Sequence, residues 1–266
     1  MKTLARRVYL LLLCLALPLV AHASQVSQVS QVSQVSQVSQ VLRAIVSDSN
    51  TAPYAIFNAD NQLQSGLSKD IIDELARYLE LPVVYINLPR ARVEPWLLQG
   101  EADLACFLNP DWVEQPDDLL WTDAVFTTQQ LLVRRREAKP VTGIQHLAGK
   151  RVGTSRGFTY PELEQVFRSG DVIRDDAHSL ESNLLRLKQG RLDVVMTVDL
   201  SYHFYVQTST DQSFSADPLW SEPPGVYCGL SRFSPRRAQQ IKTALNEIVN
   251  SGFIQQRLKF YTKLQR

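Results

Sequence analysis

From residue 42 onward, short apolar runs alternate with stretches of helical period, and this alternation constrains the fold more than any other feature of the chain. Residues 42–46 form an apolar run of strand length, followed by a turn-rich stretch over 47–66. Ser68 is placed to cap a helix reaching about Glu80, in which Ile71, Ile72, Leu75, Ala76 and Leu79 share one face. Leu81-Pro82 breaks it. A strand over 83–86, a helix over 91–99 closed by Gly100, and a strand over 103–108 follow. Strands alternating with helices in this order predict an α/β fold built on a parallel, doubly wound sheet.

The pattern then starts again. Residues 150–154 read as a strand. Thr159-Tyr160-Pro161-Glu162 has the form of a capping box opening a helix through Arg168. Val172-Ile173 is a short strand, Ser179 caps a helix ending at Gly190, and 192–196 is another strand. The chain therefore predicts two α/β units. Near the end, Ser234-Pro235 is a cap with proline at the first helical position, and Ala238, Ile241, Leu245 and Ile248 make an apolar stripe ended by Gly252.

The N-terminus reads as an address. Lys2, Arg6 and Arg7 precede an apolar run over 8–20, and Ala21-His22-Ala23 offers small residues for a signal peptidase. Residues 1–23 thus read as a signal peptide, directing the protein to the periplasm. Ser-Gln-Val repeated six times, 24–41, suits neither helix nor alternating strand and reads as a low-complexity leader. The formal charge is +1, and nothing basic stands out, so nucleic acid is not an expected partner. Of 28 basic residues three go with the signal peptide, leaving 25 against 27 acidic ones. Two cysteines remain, Cys106 and Cys228, which suit either one disulfide or two buried thiols.

Several phrases, in their order, resemble those of the family 3 bacterial extracellular solute-binding proteins, with the periplasmic binding protein type II fold. Ala52-Pro53-Tyr54 is similar to an early Pro-aromatic turn, and Gly66-Leu67-Ser68-Lys69-Asp70 to a Gly-Phe-x-x-Asp helix start. Leu97-Leu98-Gln99-Gly100-Glu101-Ala102-Asp103 resembles the phrase before the third strand. Leu147-Ala148-Gly149-Lys150-Arg151-Val152-Gly153-Thr154 resembles the opening of the second lobe, and Gly190-Arg191-Leu192-Asp193-Val194-Val195 a later strand of it. Tyr227-Cys228-Gly229-Leu230 resembles the returning strand, and the segment from Ser251-Gly252-Phe253 to Phe260-Tyr261 the closing one.

The resemblance implies two lobes, the first from 42–133 plus 227–266 and the second from 134–226. Two crossovers near 133–137 and 222–226 would form a hinge that closes on ligand. It implies a monomer that captures a small polar solute, amino-acid-like or an organic anion, for an ABC-type membrane permease, with no cofactor and no catalysis. In the resembled fold the returning strand lies antiparallel beside the third, which would bring Cys106 and Cys228 together.

Ligands in such folds meet the loops at the carboxyl ends of parallel strands. The first carries Asn50 and Tyr54, for polar contact and stacking, or as a plain turn cluster. The second holds Arg90 and Arg92, two guanidinium groups able to clamp a carboxylate or to form a solvated pair. The third holds Asn109 and Trp112 where the family commonly has Thr-x-x-Arg, and no arginine lies between Arg92 and Arg134. Thr122 lies in a segment resembling the family's Phe-Ser-x-Pro-Tyr, without the proline. The fourth loop brings Arg156 and Thr159 ahead of a helix N-terminus, an anion seat or a simple cap. The fifth offers Asp199, one residue past the family's amine-gripping Asp, with Val198 in that place; a one-residue bulge would restore it.

Two other functions are compatible with the same sequence. A soluble ligand-sensing partner of a membrane receptor would use the same cleft. A dehydratase-like enzyme would need a poised acid or base. His178 and His203 are the plausible imidazoles, and neither belongs to a recognisable motif.

Overall fold

The computed structural model describes residues 41–263. The signal-peptide reading and all but the last residue of the Ser-Gln-Val leader lie outside the described residues. The first strand, β1 (Leu42–Ser47), is followed by a short hairpin, β2 (Ile56–Phe57) with β3 (Leu63–Ser65). Next come α1 (Leu67–Leu79), β4 (Val83–Leu88), α2 (Arg90–Leu98) and β5 (Leu104–Leu108). Strands β6 (Leu119–Trp121) and β7 (Phe126–Thr127) complete the outgoing half of the first sheet.

The chain then crosses to a second sheet with β8 (Gln130–Arg135), β9 (Arg151–Ser155), α3 (Pro161–Ser169), β10 (Ile173–Ala177) and α4 (Leu180–Lys188). It continues through β11 (Val194–Val198), α5 (Asp199–Thr208) and β12 (Phe214–Pro218). It returns with β13 (Gly225–Ser231), α6 (Pro235–Asn250) and α7 (Phe253–Thr262).

The two sheets follow one plan. The first runs β4-β1-β5-β13-β6 and the second β10-β9-β11-β8-β12. In each, three parallel strands meet an antiparallel fourth that the chain supplies on crossing from the other sheet. Apolar side chains cover both faces of each sheet, as a doubly wound architecture requires. In the first, α1, α6 and α7 pack on one face through Ile71, Leu75, Leu245 and Ile254, and α2 covers the other through Val93 and Leu97.

The crossover falls at Thr128-Gln129, earlier than the 133–137 read from sequence, because Gln130–Val133 already pair with β11. The return lies between Pro218 and Gly225. Helix α5 follows β11 without a gap. It joins the lobes, with Leu200 in the first core and Tyr202 in the second.

Three caps differ from expectation. Ser68 lies inside α1, which starts one residue earlier from Gly66 at φ 120°, and its buried hydroxyl bonds to nothing. An added Cβ at Gly66 would stand 2.8 Å from the Tyr54 carbonyl oxygen, so the turn there needs glycine. Thr159 does not cap α3; Tyr160 occupies the cap position, and its N–H donates to Glu164 rather than closing a box with Glu162. Ser234 makes no side-chain cap bond, although Pro235 does open α6. Ser179 caps α4 as read, accepting from the Ser182 N–H.

Candidate functional site

Where the carboxyl ends of β1, β5, β9 and β11 converge, the structure forms a partly open cavity of about 90 Å³. This is where parallel α/β sheets place ligands. The loop after β1 supplies Asn50 and Tyr54, and β5 and its following turn supply Phe107 and Trp112. The crossover contributes Thr128 and Gln130; the loop after β9 contributes Ser155, Phe158, Thr159 and Tyr160; the end of β11 contributes Thr197 and Val198.

Tyr54 is held by a relay. The Thr128 hydroxyl donates to Asp199 at 2.9 Å, so the Tyr54 hydroxyl, 3.4 Å from the Thr128 oxygen, is left to donate to it. Burial pushes the Tyr54 phenol far above its ordinary value; the Thr128 hydrogen bond opposes this and the Asp199 charge adds to it. The ring packs edge-on against Phe107 at 4.8 Å and stacks on Phe126 at 6.2 Å. Across the cavity the Tyr160 hydroxyl accepts the Ser155 N–H at 2.9 Å, and burial raises its titration as well.

Phe107 reaches the cavity through a bulge. Tyr227 pairs with Leu108 and Cys228 with Cys106, which leaves Phe107 as the extra residue, at φ 63°. That conformation costs a residue other than glycine about 1–3 kcal/mol. Immediately beside it, Cys106 and Cys228 sit opposite one another with Cα atoms 3.9 Å apart and are bonded as a disulfide. The expected proximity and the antiparallel pairing are both present.

Of the residues proposed from sequence, Asn50, Tyr54, Trp112 and Thr159 line the cavity. The others stand away from its wall. Asn109 caps the turn that carries Trp112, accepting from the Asp111 N–H, and donates to the Gly225 carbonyl. Thr122 is buried and accepts from the Cys228 N–H. Arg156 is exposed, 2.9 Å from His178.

Asp199 opens α5 and faces Thr128 and the Leu200 N–H. Strand β11 pairs with β8 in unbroken register through Val198, so no bulge brings Asp199 forward. Arg92 is exposed, because two positions along a helix point to different sides. Arg90 is buried, donates to the Trp112 carbonyl at 3.2 Å, and lies 5.9 Å from the Phe158 ring. Burial pulls its guanidinium down to about 10, against the raising influence of Glu94. It faces neighbouring spaces, one of about 350 Å³, rather than the cavity. The expected clamp of Arg90 and Arg92 is therefore not assembled.

Sequence reasoning missed Phe107, Thr128, Gln130, Phe158, Tyr160, Thr197 and Val198. Phe158 and Tyr160 flank Thr159 and were within reach of the same loop argument. Gln130 was hidden because the sequence placed the crossover later, at 133–137, and the bulge at Phe107 left no glycine or asparagine as a signal.

Two lobes of parallel plan, joined by two crossovers and enclosing a cavity between their strand ends, define a two-lobed solute receptor. The chain belongs to the bacterial extracellular solute-binding proteins, family 3, whose sequence profile matches residues 44–263. No curated protein matches it in sequence.

Its fold is similar to that of an ancestral arginine-binding protein bound to arginine, with a TM-score of 0.71 at 18% identity over 84% of this chain and 98% of that one. A substrate-binding protein of an ABC uptake transporter from Streptococcus pneumoniae, with bound histidine, aligns with a TM-score of 0.70 at 16% identity over 86% and 94%. The periplasmic VFT2 domain of Bordetella pertussis BvgS aligns with a TM-score of 0.67 at 18% identity over 87% and 97%. Among the described residues no helix is long and apolar enough to cross a membrane.

Proposed function

We propose that the protein is exported to the periplasm, is cleaved after Ala23, and acts as a monomeric receptor that closes on one small solute and passes it unchanged to an ABC-type permease. The observation that carries this reading is the cavity between the lobes, whose wall contains no carboxylate, imidazole, thiol or amine. General acid–base catalysis needs a titrating group within hydrogen-bond reach, and the two phenols on the wall, Tyr54 and Tyr160, are held protonated by burial. Closure is supported by the two-crossover connection and by points where the lobes already meet, such as the Thr51 and Ser201 hydroxyls at 2.7 Å.

Calorimetric titration of the purified protein with amino acids, polyamines, organic acids and short peptides tests it. A ligand bound with one-to-one stoichiometry and recovered intact by mass spectrometry is expected. A converted ligand, or a protein that binds none of them, contradicts the proposal. Intact mass of the exported protein tests cleavage, and a species retaining Met1 rules it out.

A further inference from the structure

We infer that the solute held here is uncharged, with a flat apolar body, and that it presents an oxygen acceptor of carbonyl type to Nε2 of Gln130; the inference rests on the interlobe cavity being the binding site. The wall carries no charge. The rings of Tyr54, Phe107, Trp112, Phe158 and Tyr160 stand around the space, and Asn50, Ser155, Thr159 and Thr197 add only neutral amide and hydroxyl groups. Burial raises the titration of both phenols and keeps them protonated. Two ionised groups are bonded to wall residues, and neither is on the wall itself. Asp199 accepts from the Thr128 hydroxyl and the Leu200 N–H, while Arg90 donates to the Trp112 carbonyl and borders the neighbouring spaces. A carboxylate or ammonium buried here would meet no opposite charge, which is strongly disfavoured. A flat uncharged ring instead gains offset and edge-on packing on its aromatic neighbours.

Gln130 supplies the directional contact. It lies 5% exposed on the cavity wall. The Oε1 of its amide is fully enclosed, so the accessible end is Nε2, which has no hydrogen-bond partner among the described residues. An amide NH₂ only donates, so the solute atom that meets it must accept, and a carbonyl oxygen is the uncharged group suited to that. The backbone of Gln130 pairs with Val198, which fixes the donor to the sheet of the second lobe. A ring packed on Tyr54 and Phe107 of the first lobe, with its carbonyl on Gln130, would bridge the two lobes.

Four rings of nearly one shape make the test: acetophenone, neutral with a carbonyl; α-methylstyrene, neutral without one; benzoate, an anion; and benzamidine, a cation. Each is titrated into the purified protein and into Gln130→Met. Acetophenone is expected to bind at least about tenfold more tightly than either ion. From the unaltered protein to Gln130→Met, the affinity of acetophenone relative to α-methylstyrene should fall about tenfold, as loss of one hydrogen bond allows. Taking this ratio cancels the difference in hydrophobicity between the two rings. If the variant fails to fold, NMR of the unaltered protein reads the same contact. The Gln130 side-chain amide protons should move further downfield with acetophenone than with α-methylstyrene. A ratio unchanged in Gln130→Met, or equal amide shifts with the two neutral rings, overturns the inference. Benzoate or benzamidine bound as tightly as acetophenone overturns it while leaving the cleft reading intact. Failure of all four to bind overturns it as well, and the cleft reading falls with it only if the wider screen is also empty.

Discussion

In the first sheet the antiparallel fourth strand, β13, is stapled to β5 by the Cys106–Cys228 disulfide. In the second, the equivalent strand, β8, is fastened to β12 by Arg134, whose guanidinium meets Asp217 at 2.8 Å and donates to the carbonyls of Arg136 and Ala138. One plan is thus secured covalently in one lobe and by a largely buried ion pair in the other. The difference follows what each strand carries. The staple lies next to the bulge that turns Phe107 into the cavity against its backbone preference. Strand β8 begins with Gln130, in regular pairing with Val198, and needs no such restraint. Both lobes line the cavity with rings and polar groups: Asn50, Tyr54, Phe107 and Trp112 from the first, and Gln130, Phe158, Thr159, Tyr160 and Thr197 from the second.

The sharpest way to break this comparison is to remove the staple. The disulfide closes a loop of 122 residues in sequence separation. Replacing both cysteines by alanine should destabilise the protein by roughly 4 kcal/mol in urea unfolding. Hydrogen exchange should show the loss concentrated in β5 and β13. An equal loosening of β8 and β12 would contradict independent fastening.

Asp217→Ala, the corresponding cut in the second lobe, leaves Arg134 buried without its counter-charge and should cost about 3 kcal/mol. Loosening is expected in β8, β12 and the Val141 N–H that Asp217 also accepts.

A smaller effect is expected from Tyr54→Phe. It removes the weak end of the relay while the Thr128–Asp199 bond survives, so a loss of about 1 kcal/mol or less is predicted by thermal unfolding. Loss of several kcal/mol would mean that the hydroxyl, rather than the aromatic packing, holds the first-lobe wall.

The smallest effect concerns the edge of the second lobe. The Asp211 carboxyl is lowered to about 2, first by its bond to Lys188 and then by Ser213. Because the folded value lies below the unfolded one, its contribution is present above the ordinary carboxylate range and is lost as pH falls through about 2. Asp211→Asn should therefore be less stable than the parent at neutral pH and match it near pH 2 in acid unfolding. A difference that persists at that pH rejects this assignment.

Much of this architecture was legible in the chain. Apolar runs such as that of β1 and the one-sided stripes of α1 and α6 are the direct imprint of burying a sheet between helices. The pairing of Cys106 with Cys228 followed from resemblance to a known strand order, since spacing alone left buried thiols equally open. Other elements left little trace. Strand β12 reads Phe-Ser-Ala-Asp-Pro, half polar and ending in proline. Helix α5 divides its buried residues between two cores and so shows no single stripe.

Of the candidates read from the loops, Asn50, Tyr54, Trp112 and Thr159 line the cavity. The charged candidates stand off its wall, because charge is visible in a sequence whereas its direction is not. Arg90 donates to the Trp112 carbonyl, Arg92 turns to solvent, and Asp199 turns to Thr128.

The most direct test of the account is a crystal structure of the protein with the tightest ligand from the titration screen. The solute is expected between the lobes, chemically intact, in contact with Tyr54, Trp112 and Gln130. A solute bound outside that cavity, or one found altered within it, would contradict the reading of this protein as a receptor that holds its ligand between two lobes and leaves it unchanged.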